Sequence, residues 1–343
     1  MRASFFHHLH PPTIPASQAR WRYTLGAGGL CLLLCAVLLI SGALEMFYYV
    51  ATPENAPLTI QALAFHVPFG GLLRRLHFWS AQALVLAALL HLLRVIWTGA
   101  YAPPRRFNYL LGLGLFLVIL ILDFSGYVLR WDQGVHWAIV VGTRLLKSVP
   151  LAGDWLYRFV VGGSQIGPVT LTRFYAWHIF ALVILLVFGV IWHIFRVRRD
   201  GGIAVPPPGA RQDSERISRH ELVQREALAA LLSLSLLLVW CELVPAPLGA
   251  PINSLGSPGL EASAPWFFLW IQTLLRLGDP FWLGVALPAG VILFLVLIPF
   301  ILPVPPVEER GRWFPPGGRA AQLLTGLLGI AILLLTLLNW VAP

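Results

Sequence analysis

Charge is the scarcest property of this sequence. Asp, Glu, Lys and Arg make up 11% of its 343 residues, where a soluble domain carries about 25%. A chain so poor in charge cannot cover a water-facing surface with polar groups, which excludes an ordinary cytosolic enzyme. The hydrophobic share of 58% and mean hydropathy of +0.76 exclude a disordered chain. Lysine is nearly missing: Lys147 stands alone beside 23 Arg, and with 15 acids the formal net charge is +9. On a soluble chain that excess would point to nucleic acid. On an apolar chain, cations mark cytoplasmic loops and anionic cofactor groups, so no nucleic-acid partner is expected. Cys31, Cys35 and Cys241 are too few for a disulfide framework and lie in or at the end of apolar runs, as inert thiols do. No fixed-period repeat is visible.

What the chain does have is long apolar runs. A bilayer-spanning helix needs about 20 mostly apolar residues, and seven stretches qualify: about 24–49, 76–98, 108–129, 174–196, 224–243, 281–302 and 320–341. The first is too long for a cleaved signal peptide and continues into Phe47-Tyr48-Tyr49. The expected fold is an all-α, multi-pass integral membrane protein: a four-helix bundle plus three further spans. With the N-terminus placed inside, sixteen Arg fall on inside segments and eight Lys or Arg on outside ones. That ratio favours N-in, C-out. Residues 198–220, with Pro206-Pro-Pro-Gly at their centre, form the clearest linker. The chain therefore divides into a tail (1–22), a four-helix part (23–200), a linker (201–220) and a three-helix part (221–343). Two long outside loops, about 130–172 and 244–280, are too long to be mere turns.

Four of the ten His carry a pattern. His77 and His91 lie 14 residues apart on the second span, and His178 and His193 lie 15 apart on the fourth. At about 100° per residue, 14 steps return to within about 40° of the starting face and 15 to within about 60°. Each span thus presents two imidazoles on one stripe, about 21–22 Å apart along its axis. One intramembrane His has an ordinary reading as a satisfied core residue; two pairs of matching separation do not, because ionisable groups in lipid are costly and functional. Both spans run in the same direction, so His77 faces His178 near one surface and His91 faces His193 near the other. Such pairs could hold two bis-His haems, whereas zinc wants its ligands close together. Gly28 and Gly42 on the first span, and Gly112 and Gly126 on the third, repeat the 14-residue step and would let backbone approach a macrocycle. Haem propionates want Arg partners, and Arg74, Arg94 and Arg105 sit at the ends of these spans. His66 and His220 are placed in loops and carry no pattern.

These residues, with Arg74-Arg-Leu-His-Phe-Trp-Ser-Ala, His91-Leu-Leu-Arg-Val, Gly126-Tyr-Val-Leu-Arg-Trp-Asp-Gln and Leu171-Thr-Arg-Phe-Tyr-Ala-Trp-His, resemble cytochrome b of quinol-oxidising bc complexes. The 15-residue step, the Trp-Asp-Gln and the Leu-Thr-Arg-Phe-Tyr run are most similar to cytochrome b6, with residues 221–343 resembling subunit IV of the b6f complex fused on. The resemblance implies two non-covalent b haems: an outer, low-potential one on His77 and His178 with Arg74 as propionate partner, and an inner one on His91 and His193 near Arg94 and Arg105. It implies quinol oxidation at an outer site, one electron passing to a Rieske iron–sulfur protein and on to a c-type cytochrome or equivalent acceptor. The other electron crosses to an inner quinone site, with protons released outside. It also implies a homodimeric complex, in the bacterial inner membrane.

Two departures from the family pattern stand out. The outer quinol site usually carries Pro-Glu-Trp-Tyr, and this chain reads Ala264-Pro265-Trp266-Phe267. The usual carboxylate is absent, yet a proton leaving quinol needs a base. Glu261, His136 and Glu242 are the candidates beside Trp266, and Asp123, inside the third span, is either a proton-path residue or the partner of a polar group. The family's b6 branch also attaches an extra haem through a Cys at the inner end of the first span; the aligned residue here is Gly26, so no covalent haem is expected. Two alternatives stay open: a non-bifurcating di-haem b subunit, and a non-haem transporter whose His and Asp bind substrate or protons.

Overall fold

Inside lipid every backbone N–H and C=O must be bonded within its own segment, so long apolar runs become helices. The computed structural model describes residues 12–20, 26–205, 215–249 and 264–341. Its helices in chain order are α1 (Ala27–Glu45), α2 (Ala56–His66), α3 (Gly70–Trp97), α4 (Arg106–Leu129), α5 (Gln133–Lys147), α6 (Gly153–Val161), α7 (Pro168–Arg199), α8 (Arg219–Leu243), α9 (Leu269–Leu277), α10 (Trp282–Ile301) and α11 (Pro316–Val341). Among them α1, α3, α4, α7, α8, α10 and α11 are long and apolar enough to cross a bilayer. The protein is an all-α, multi-pass integral membrane protein.

The second span is longer than its hydropathy shows. It starts at Gly70 and takes in Arg74 and Arg75, which the apolar count leaves outside. The helix tolerates Arg74 because its guanidinium donates to the backbone carbonyls of Ala246 and Pro247. His66 is the last residue of α2 and His220 lies in the first turn of α8, so neither is a loop residue.

α1 packs along α3, α3 against α4, and α4 against α7, which makes the four-helix bundle. Its middle is apolar: Leu34, Leu84, Val85, Ala88, Ile119 and Leu186 fill the space between the helices. The later spans pack around this bundle, α8 on α3 and α1, α10 on α4, and α11 on α9 and α3. Their outer faces, such as Leu231, Leu232 and Leu236 of α8, stay exposed as lipid-facing surfaces do.

One irregularity positions a key residue. Within α7 the turn Trp177–Ala181 is a π-helix, closed by Leu182 N–H donating to the Trp177 carbonyl. A π-turn bonds i to i+5 and so absorbs about one extra residue. That accounts for the 15-residue step on α7 beside the 14-residue step on α3: the wider turn returns His178 to the face of His193.

The loop of 130–172 folds into α5 and α6. Asp132 is the N-cap of α5, accepting from the Val135 N–H at 3.0 Å, and it also takes a 2.6 Å ion pair from Arg130 and an N–H from Gly249. These bonds explain why Trp-Asp-Gln follows α4: Trp131 turns the chain with φ 48°, and Asp132 starts the next helix. The N-terminal segment is not wholly a tail. Strand β1 (Thr13–Pro15) pairs antiparallel with β2 (Arg216–Ser218), tying it to the end of the linker. His7, His8, His10 and Glu261 lie outside the described residues.

Candidate functional site

α3 and α7 bring the four His together in two pairs. The rings of His77 and His178 have centroids 6.3 Å apart at 71° between planes, and those of His91 and His193 lie 6.4 Å apart at 81°. A metal between two imidazole nitrogens, at about 2 Å from each, needs ring centres about 6 Å apart, because each ring centre lies roughly 1 Å behind its nitrogen. Both pairs meet that spacing. Among the described residues no three His, Cys, Asp or Glu cluster as a protein-only metal site would require. Two axial imidazoles and nothing else suit a metal whose remaining ligands come with a macrocycle.

The glycines do something more specific than leave room for a flat ring. A Cβ placed on Gly42 would lie 3.0 Å from His77 Cε1, on Gly126 2.8 Å from His178 Cε1, on Gly112 3.1 Å from His193 Cε1, and on Gly28 3.5 Å from His91 Cε1. Each glycine thus seats one imidazole. The 14-residue step of α1 equals that of His77 and His91, which it faces; α4 keeps the same step opposite His178 and His193 because the π-turn of α7 takes up the extra residue.

The two pairs differ at Nδ1. His77 Nδ1 is 2.9 Å from Ser41 Oγ, and His178 Nδ1 is 2.9 Å from Ser125 Oγ and 3.1 Å from the Leu122 carbonyl. Nδ1 of His91 and of His193 are buried without a hydrogen-bond partner of good geometry; the Asn108 backbone is the polar group beside His193.

A cavity of about 570 Å³ opens beside the first pair, lined by Gly42, His77, Gly126 and His178, a size in the ordinary range for a cofactor or ligand site. Arg74, Glu45, Asp123, Gln82 and Trp266 also line it. The Trp266 indole donates to Gln82 Oε1 at 2.8 Å, and Gln82 Nε2 donates to Asp123 Oδ1 at 2.8 Å. Glu45 Oε1 is buried there with no hydrogen-bond partner. Arg74 precedes His77 by three residues and Arg94 follows His91 by three, so each guanidinium sits one turn nearer its end of α3 on the histidine face. Arg94 donates to the Ala204 carbonyl and Arg105 to that of Gly202. Burial, with Arg310 beside it, lowers the Arg105 pKa against the opposing pull of Asp200.

Residues 82–251 match the family of cytochrome b (N-terminal), b6 and petB. Cytochrome b6 of Heliomicrobium gestii is 36% identical over 174 residues, 51% of this chain and 82% of that protein. Cytochrome b6 of Heliobacterium modesticaldum is 34% identical over 192 residues, 56% of this chain and 88% of that one. The chain belongs to the cytochrome b/b6 family. A solved hyperthermophilic respiratory Complex III chain superposes with a TM-score of 0.72 at 21% identity, covering 93% of this chain and 91% of its own, and so shares its fold. The chain is a b6-like cytochrome b of the bc type, and that family implies b-type haem.

Within this cytochrome b the residues singled out from sequence fall into two groups. The four His, four Gly and three Arg converge on the pairs and the ends of α3. Trp266 reaches the cavity wall, and Asp123 is held by Gln82. His136 lies on α5 against Trp137 and is not among the cavity-lining residues; Glu242 pairs with Arg75 at 3.1 Å on the exposed end of α8. Sequence reasoning missed Glu45, Gln82, Ser41 and Ser125. Glu45 carried a readable signal, a carboxylate three residues past Gly42 on an apolar span, hence on the face of the cavity. The serines precede Gly42 and Gly126 directly, a signal only once those glycines are known to face imidazoles.

Proposed function

We propose that the protein is the di-haem cytochrome b subunit of a quinol:cytochrome c oxidoreductase of the bc/b6f type. The observation that carries this reading is the pair of imidazole pairs, each spaced for one metal and stacked along one helix stripe. In this reading His77 and His178 bind the outer b haem, and His91 and His193 the inner one. Haem supplies one-electron carriage at each site. Gly42, Gly126, Gly28 and Gly112 seat the rings, while Arg74, Arg94 and Arg105 offer cations to propionates. The apolar middle of the bundle keeps water from between the two sites.

Quinol is oxidised in the cavity beside Trp266. Gln82 orients the Trp266 indole, and a proton leaving quinol passes to a carboxylate on the wall, Asp123 or Glu45, in the place that the absent glutamate of Ala264-Pro265-Trp266-Phe267 would fill. His136 of α5 and Glu261 are the other candidate acceptors. The cation bias supports an orientation with the N-terminus in the cytoplasm, the C-terminus outside and the His77 pair on the positive side; in this reading the membrane is a bacterial inner membrane, 23–200 is the haem domain and 221–343 the appended part. A Rieske protein takes one electron and passes it to a c-type cytochrome or equivalent acceptor, in a homodimeric complex.

The missing glutamate favours a second reading, a di-haem subunit that passes electrons between quinone and a dedicated partner without bifurcation. The two readings separate in one experiment. With an inner-site inhibitor present, quinol added with an oxidised Rieske partner reduces a b haem under the first reading. Under the second, the haem is reduced equally well without the Rieske protein. No quinol-dependent haem reduction in either condition overturns both.

A further inference from the structure

The two histidine pairs are alike in spacing and in their glycine seats, yet only one pair has hydroxyl partners. Ser41 and Ser125, 2% and 1% exposed, each stand one residue before a seating glycine. The corresponding residues before Gly28 and Gly112 are Ala27 and Leu111, which have no hydroxyl.

The direction of the hydrogen bonds follows from what the hydroxyls are already doing. Ser41 Oγ–H is 2.7 Å from the Val37 carbonyl, and Ser125 Oγ–H is 2.9 Å from the Leu122 carbonyl. A carbonyl can only accept, so each serine proton points back along its own helix. What the oxygen then offers the imidazole is a lone pair. At His178 the Leu122 carbonyl is itself 3.1 Å from Nδ1, a second acceptor at the same atom. Nδ1 therefore carries the proton in His77 and His178, and Nε2 carries the free lone pair turned away from the serine. Nothing fixes the tautomer of His91 in this way, because its Nδ1 is buried without a partner.

We propose that Ser41 and Ser125 are positioning residues that hold His77 and His178 as Nε2 ligands and make the haem they bind harder to reduce than it would be without them. This rests on the haem-ligand reading above. An N–H that donates to an acceptor makes the opposite ring nitrogen more basic, and such outer-shell bonds tune the metal as well as orienting its ligand. A more basic axial pair favours the ferric state.

The test is a spectroelectrochemical titration of the purified full-length holoprotein and its Ser41→Ala, Ser125→Ala, Ser41→Thr and Ser125→Thr variants, with His178→Ala as control. The two Ala variants each raise the lower midpoint and leave the upper one in place. Outer-shell partners are worth on the order of tenfold; a tenfold change in the ferric-to-ferrous ratio is about 59 mV for one electron. The Thr variants keep a hydroxyl and restore the wild-type value. Ala27→Ser, which gives His91 a partner, lowers the upper midpoint. Loss of the lower-potential haem alone in the Ala variants, with retention in the Thr variants, also supports the positioning role. An unmoved lower midpoint, a fall in it, equal movement of both, or loss of both haems in Ala and Thr variants alike overturns it. If His178→Ala leaves both haem signals, the ligand reading itself is wrong; if it removes one signal while the serine variants move nothing, only the serine inference fails.

Discussion

A graded set of glycine substitutions probes the histidine seats one at a time. Carbon atoms pack at about 3.5–4.0 Å. An Ala Cβ at position 126 would stand 2.8 Å from His178 Cε1, so the ring has to retreat by about 0.7 Å to reach the short end of that range. At 42 and 112 the distances are 3.0 and 3.1 Å, and at 28 the distance is 3.5 Å, already an ordinary contact. His178 cannot simply swing away, because Nδ1 is tethered to Ser125 and Leu122 and Nε2 would be bonded to a metal. Overpacking of this kind costs about 1–3 kcal/mol, or roughly 5- to 150-fold in haem affinity at about 1.4 kcal/mol per decade. Alanine's better helix propensity, about 1 kcal/mol over glycine, stabilises the helix but not the haem. Haem per chain, read from reduced-minus-oxidised spectra of the purified variants, should therefore fall most for Gly126→Ala, less for Gly42→Ala and Gly112→Ala, and hardly at all for Gly28→Ala. Equal losses at all four positions, or the largest loss at 28, would refute the idea that each glycine seats its own imidazole.

Four further outcomes can each be checked by one assay. Asp132→Ala removes an N-cap, the Arg130 ion pair and the Gly249 bond together, and should lower stability by about 2–3 kcal/mol, seen as an earlier thermal transition with haem content unchanged below it. Tyr49→Phe deletes the 2.8 Å bond to the Leu129 carbonyl that joins the end of α1 to that of α4, at about 1 kcal/mol by the same assay; a loss above about 3 kcal/mol would mean the hydroxyl has another role. Trp266→Phe frees Gln82 Oε1 and should weaken quinol-dependent haem reduction while both midpoints stay put. In a denaturing gel stained for peroxidase activity no haem should remain on the chain, since Gly26 stands where the b6 branch has its cysteine; a stained band at the chain's mass would contradict that.

The architecture was largely legible because lipid allows few solutions: hydropathy and length gave seven spans, and the four His stood out because a titratable group inside a span needs a reason. Three features escaped the sequence for physical causes. The second span begins at Gly70 rather than 76 because the Arg74 charge is satisfied by carbonyls of a segment some 170 residues away, which no local window sees. The 15-residue step of α7 looks like a 60° misalignment until the π-turn at Trp177–Ala181 absorbs it. Gln82 became a site residue only when the helices closed a cavity around it, a property of packing and not of any one helix.

The central claim is that two imidazole pairs each hold one b haem. It is tested most directly by counting haems in His178→Ala and His193→Ala, in the purified chain, by redox-resolved difference spectroscopy. The account predicts that each variant loses one of the two components and keeps the other at nearly its original midpoint, His178→Ala losing the lower and His193→Ala the upper. Retention of both components in either variant, or loss of the same component in both, would contradict it.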